Sequence, residues 1–174
     1  MISNSKVAYR QHDHGRCQSA ALARAKALCQ RDGARLTPIR ETVLGLIWQS
    51  HRPLGAYDII ERLSETSGQR VVPPTVYRAL DFLLSRGLVH RLATLNAYIG
   101  CPFPDNAHSN VFMLCRACGS VAEYTVEAID KAIVATAERA DFAIDSQAIE
   151  VSGLCPGCKE TAGVDESSAD GSGP

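Results

Sequence analysis

Pro73-Pro-Thr-Val-Tyr-Arg-Ala-Leu-Asp-Phe-Leu-Leu-Ser-Arg-Gly87 is the stretch whose reading decides the fold. Two prolines open it, where a helix can spare its first N–H groups, and a glycine closes it, where the chain turns left-handed. Between them a helix is expected over 75–86. At 100° per residue Val76, Ala79, Leu80 and Leu83 gather on one side, and Tyr77, Arg78, Asp81 and Ser85 on the other. One face suits a core; the other presents a guanidinium and a phenol to solvent.

Upstream, three further helices are expected. Residues 17–32 place Leu22, Ala25, Leu28 and Cys29 at helical spacing before Gly33, with Cys29 as a small core residue. Thr37-Pro38 reads as a hydroxyl N-cap followed by proline at the first helical position, with Ile39, Val43, Leu46 and Ile47 inward. Gly55 opens a third helix. Asp58 lies in its first turn, Ile59, Ile60 and Leu63 face inward, and Tyr57 is left near the exposed N-terminal end. Residues 64–70 read as a polar loop. A helix, a turn and a helix with an Arg/Tyr face form the helix-turn-helix pattern. Strands at 88–92 and 97–99 around the turn 93–96 then add a wing. The expected DNA-binding domain spans 17–99. Residues 1–16 read as a polar disordered tail, although His12 and His14 flank Asp13 and could bind metal.

Charge follows the same division. Residues 1–90 carry 13 Lys/Arg against 7 Asp/Glu, and residues 91–174 carry 5 against 12, giving the overall −1. A basic first half suits a polyanionic partner. Residues 1–10 lack the apolar core of a signal peptide, and no run of about 20 apolar residues offers a membrane span. A soluble, cytoplasmic protein is expected, whose seven cysteines are thiols and metal ligands rather than disulfides.

Cys101-Pro-Phe-Pro-Asp-Asn is rich in helix and strand breakers, so 100–107 reads as a hinge. Beyond it, strands are expected at 111–115 and 121–124, a helix at 127–140 with Ile129, Ala132, Ile133 and Ala137 on one face, and a strand at 148–152. This second domain is placed at 108–160, followed by a Ser/Gly/Asp-rich disordered tail at 161–174.

Cys115-x-x-Cys118 and Cys155-x-x-Cys158 are the strongest chemical signal. Each two-residue gap lets both thiolates reach one ion, and two such pairs complete a tetrahedral S₄ shell. The 36 residues between the pairs exceed the usual zinc-ribbon gap of about 15–20, but they hold a strand, a helix and a strand that can bring the ends together. Four thiolates leave no open position, so the site is structural. His90, His108 and Glu123 each read singly as ordinary strand or loop residues, whereas Cys101 stands in a proline-rich connector away from any apolar face. Together, from the wing, the connector and the second half, the four would fix the angle between domains.

These residues resemble the ferric uptake regulator family, and within it the zinc uptake regulator branch. The resemblance runs from about Arg35 to Cys158. It rests on Arg35-Leu-Thr-Pro-Ile-Arg40, Ala56-Tyr-Asp58, Pro74-Thr-Val-Tyr-Arg-Ala-Leu-Asp-Phe-Leu83, Gly87-Leu-Val-His90, Cys115-x-x-Cys118-Gly and Leu154-Cys-x-x-Cys158. It implies an α+β protein: a winged-helix DNA-binding domain hinged to a small α/β dimerisation domain. It also implies two zinc ions per subunit, one structural on Cys115, Cys118, Cys155 and Cys158, and one regulatory on His90, Cys101, His108 and Glu123. Tyr57, Thr75, Tyr77 and Arg78 match the DNA-binding positions, with Arg78 the candidate for base readout.

The chain departs from the iron- and peroxide-sensing branches, whose corresponding segment is rich in His. Here it is Cys101-Pro-Phe-Pro-Asp-Asn-Ala-His108. A thiolate beside imidazole and carboxylate suits tetrahedral zinc better than octahedral ferrous iron. The expected function is a zinc-loaded homodimeric repressor of zinc uptake genes on palindromic double-stranded operator DNA, with no membrane partner and no small organic substrate. The alternatives are a sensor of iron, manganese, nickel or peroxide in the same family, or a zinc-stapled protein with no sensing role. An enzyme is not expected, because neither His-Glu-x-x-His nor the deaminase pattern is present.

Overall fold

Pro73–Ser85 is the helix that the proline pair announces, and it ends where Gly87 takes φ 63°. The N–H of Leu88 then bonds to the carbonyl of Leu83, and that of Gly87 to Leu84, which closes the last turn. The computed structural model describes residues 6–9, 13–104 and 110–166, with side chains at 8–9, 13–104 and 110–161. The chain divides into two compact units, His12–His108 and Met1–Gln11 with Ser109–Pro174.

The first unit contains α1 (His14–Arg31), α2 (Pro38–Ile47), β1 (Leu54–Gly55), α3 (Ala56–Ser67), α4 (Pro73–Ser85), β2 (Val89–Leu92) and β3 (Ala97–Gly100). Val43, Leu44 and Ile47 of α2, Ile59 and Leu63 of α3, and Val76, Leu80 and Leu83 of α4 form one buried cluster. These are the inward positions of three amphipathic patterns, so burial of one stripe from each helix drives the unit together. Gln18 Nε2 donates to the Gly45 carbonyl at 2.7 Å and holds α1 on α2. β2 and β3 pair antiparallel, Val89 opposite Gly100 and Leu92 opposite Ala97, around a turn in which Asn96 is left-handed. β1 adds to the other side of β3, giving the order β1-β3-β2.

The second unit contains a 3₁₀ turn (Lys6–Tyr9), β4 (Asn110–Cys115), β5 (Val121–Tyr124), α5 (Glu127–Arg139), β6 (Ala148–Gly153) and α6 (Pro156–Glu166). The sheet order is β5-β4-β6, antiparallel between β4 and β5 and parallel between β4 and β6. A parallel partner for β4 requires a crossover, and α5 provides it.

Several local expectations are corrected. Residues 1–16 are not all tail. The 3₁₀ turn packs against β5, Ala8 is buried, and Tyr9 Oη donates to the Met113 carbonyl at 2.5 Å. The first helix begins at His14, because Asp13 caps it by accepting from the Gly15 N–H at 2.9 Å. The loop placed at 64–70 is shorter: α3 runs to Ser67 and stops where Gly68 takes φ 66°. Thr37 stands at the N-cap of α2 without a side-chain cap bond, so Pro38 alone starts the helix. Residues 161–166, assigned to the disordered C-terminal tail, continue α6. His12 and His108 lie outside the described residues.

Candidate metal centres and nucleic-acid interface

β4 ends at Cys115, and Gly119, at φ 73°, turns the chain so that Cys118 faces the same way. β6 ends beside β4, with Cys115 opposite Gly153, and delivers Leu154 and Cys155; Cys158 follows on the first turn of α6. The parallel register therefore brings two pairs 36 residues apart to one point. All four sulfurs lie within 4.8 Å of one another, and Cys118 Sγ and Cys155 Sγ are 3.8 Å apart. Four sulfurs about 2.3 Å from a tetrahedral zinc are about 3.8 Å apart along each edge. The Cys118–Cys155 separation matches that edge, and the four sulfurs are close enough together to share one zinc.

The electrostatics also suit a cation. Burial pushes the Cys115 thiol up, but N–H groups of Cys118, Cys155 and Ala117 aimed at the sulfur outweigh it and bring it down to about 6. The N–H of Cys155 lies 3.3 Å from that sulfur. Ser120 lowers the Cys118 thiol through its hydroxyl and its N–H. The Cys158 thiol is pushed up to about 12, first by its hydrogen bond to Cys155. The cluster on its own cannot hold four negative charges, whereas a dication permits it. All seven cysteines of the chain are thiols.

His90 and Cys101 meet in the first unit. His90 sits on β2 opposite Ile99, and Cys101 follows β3 with its N–H on the Leu88 carbonyl at 3.0 Å. A ring nitrogen of His90 and Cys101 Sγ are within 4.8 Å of each other. Cys101 Sγ also accepts from the Phe103 N–H at 3.3 Å, and Arg24 of α1 donates to the Pro102 carbonyl, which ties down the connector. Glu123 belongs to the second unit, on β5 opposite Phe112, and is only 3% exposed. That excludes the ordinary reading of Glu123 as a solvated strand residue, since carboxylates are buried when paired or metal-bound.

The outward face of α4 carries Tyr77 and Arg78, both exposed, while Thr75 is half-buried in the first turn. Tyr57, near the start of α3, is 79% exposed. α3 is capped there by Asp58, whose Oδ2 accepts from the Gly55 N–H at 3.2 Å. On the inward side Arg40 of α2 stacks 3.6 Å over the Phe82 ring of α4, and Arg86 bridges to Asp32 of the α1 cap at 3.6 Å. The exposed face is therefore mounted on a braced helix. Sequence reasoning did not find the roles of Ser120, Arg24 or Phe82, because each acts through a fold-dependent contact with no local spacing signal.

Residues 31–152 match the ferric uptake regulator family. The zinc uptake regulation protein of Escherichia coli strain K12 is 39% identical over 140 residues, covering 80% of this chain and 81% of that protein. Among solved structures, a zinc uptake regulator complexed with zinc and DNA superimposes with TM-score 0.79 at 37% identity, covering 84% of this chain and 97% of that one. Holo XcZur gives TM-score 0.75 at 38% identity, covering 82% and 99%.

Proposed function

The chain belongs to the ferric uptake regulator family, and on that premise we propose that it is a zinc-responsive transcriptional repressor, acting in the cytoplasm as a homodimer on palindromic operator DNA at zinc uptake genes. The observation that carries this reading is a sulfur donor, Cys101, beside His90 at the root of the wing. Sulfur with imidazole selects zinc over the harder metals that carboxylate and imidazole sites take. The zinc-bound relatives support it, as does the 39% identity to a zinc uptake regulation protein.

Two donor sets support a count of two ions per subunit. Cys115, Cys118, Cys155 and Cys158 hold the structural one. His90, Cys101, Glu123 and, on sequence resemblance, His108 hold the regulatory one. When bound there, zinc supplies a cross-link between donors that come from both units. His90 and Cys101 anchor the root of the wing, and Glu123 anchors the sheet of the second unit. Occupancy thereby sets the placement of α4, and by linkage DNA tightens zinc binding by the factor that zinc tightens DNA. Tyr77 and Arg78 enter the major groove, Arg78 reading a base edge, while Tyr57 and Thr75 meet the backbone. The homodimer forms through α5, none of whose residues is buried in the single chain. Ile129, Ala132, Ile133 and Ala137 line a groove of about 850 Å³ there with Phe142 and Ile149. A two-fold dimer reads a two-fold operator. Regulation rather than catalysis is the role throughout.

The test is a metal count. Native mass spectrometry of the wild-type dimer should show two zinc ions per subunit, and Cys101→Ser one. A Cys101→Ser dimer that keeps both contradicts the assignment.

A further inference from the structure

Trp48 is the chain's single tryptophan, stands at the C-cap of α2 and is 9% exposed. Its indole occupies the space that any side chain at Gly100 would need. A Cβ on Gly100 would lie 2.2 Å from Trp48 Cε2, 2.3 Å from Nε1 and 2.7 Å from Cζ2. Gly100 is not among the left-handed glycines, so its backbone does not demand glycine; the close approach does. The placement matters because of what lies on either side. Gly100 ends β3 and pairs with Val89, the neighbour of His90, and the next residue is Cys101. The indole thus abuts the strand end one residue before Cys101 and across the ladder from the neighbour of His90. His51 stands edge-on to the indole, with ring centroids 6.4 Å apart at 75°. Behind it, α2 shares its core with α4 and carries the Arg40 that stacks on Phe82.

We propose that Trp48 is a positioning residue for the regulatory metal site: seated on Gly100, it fixes the end of β3 so that Cys101 stays within reach of His90, and its emission reports the filling of that site. The proposal rests on the assignment of Cys101 as a ligand made above. Core packing alone would explain a buried tryptophan. The same packing sets the ring against a backbone carbon one residue from a donor thiol, so that disturbing the ring reaches the donor. Groups that hold a metal ligand in place behave like ligands in affinity, and losing one costs about tenfold or more.

The experiment uses the full-length homodimer with its structural zinc retained and titrates the second zinc against a chelator of known affinity. Trp48→Leu, which keeps an apolar group in the core, should weaken the second zinc by about tenfold while structural zinc content stays the same. Trp48→Phe, which restores a flat ring, should recover most of that loss, and Gly100→Ala, which drives a methyl into the indole, should reproduce it. In the wild type, Trp48 emission should change as the second zinc loads, and in Cys101→Ser it should not. A folded Trp48→Leu with undiminished second-site affinity overturns the proposal when Cys101→Ser loses that zinc. If Cys101→Ser keeps it, the ligand assignment itself has failed and the proposal goes with it. Should Trp48→Leu not fold, the wild-type emission decides, and an emission unmoved by second-site loading overturns the proposal.

Discussion

Val43, Val76, Leu80, Leu83 and Ile59 of the winged-helix unit are fully buried, contributed by three helices that each hide one stripe. In the other unit, α5 buries no residue at all, and among the described residues the enclosed aliphatic and aromatic side chains are Ala8 and those of β4 and β5: Val111, Phe112, Leu114, Val121 and Ala122. Both units are built of helices and a three-stranded sheet, yet among the described residues the first buries a stripe from each of three helices, whereas α5 adds none to the core of the second. The second compensates twice, with four cysteines drawn to one point and with an apolar helix face that a second subunit can cover. The comparison teaches which parts of the chain fold by burial alone and which depend on a metal or a partner.

The sharpest way to break the comparison is to remove the metal staple. Cys155→Ser should abolish structural zinc and unfold β4, β5 and β6, an effect on the order of 10 kcal/mol, while amides of α2 and α4 stay protected; hydrogen exchange read by mass spectrometry measures both. Equal loss of protection in the two units would show that the first does not stand on its own core. Next comes the partner surface. Ile133→Asp buries a carboxylate in the proposed dimer face at a cost of roughly 3–7 kcal/mol, so sedimentation should find a zinc-containing monomer. A persistent dimer would move the interface elsewhere. The smallest effect belongs to the winged-helix surface. Arg78→Ala should leave folding unchanged, since Arg78 is exposed, and weaken operator binding by about 1–3 kcal/mol with relaxed preference at one base pair. Weakening that is uniform across sequences would reassign Arg78 to phosphate.

The winged-helix unit was legible because its signals are local. Proline pairs, stop glycines and the 3.6-residue stripe of Val76, Ala79, Leu80 and Leu83 each specify an element within a dozen residues. The Cys-x-x-Cys pairs were legible for the same reason, and the parallel register of β4 and β6 explains how a 36-residue gap closes. What escaped was non-local. β1 is two residues long and exists only because β3 offers it an edge. The Lys6–Tyr9 turn carries no periodic pattern of its own, and it is held by packing on β5 and by a Tyr9 hydrogen bond to a carbonyl 104 positions away. The burial of Glu123 has no sequence signature on a strand that alternates only weakly, and the Trp48–Gly100 contact joins residues whose spacing carries no period.

The central claim is that Cys101 lets zinc govern DNA binding. The most direct measurement is the affinity of the homodimer for a duplex from a zinc-uptake promoter, with free zinc buffered across a wide range and wild type beside Cys101→Ser. The account predicts that wild type binds only above a zinc threshold and that the variant needs far more zinc to reach the same affinity. Equal binding by both proteins, with and without zinc, would contradict it and leave a zinc-stapled DNA-binding protein whose signal lies elsewhere.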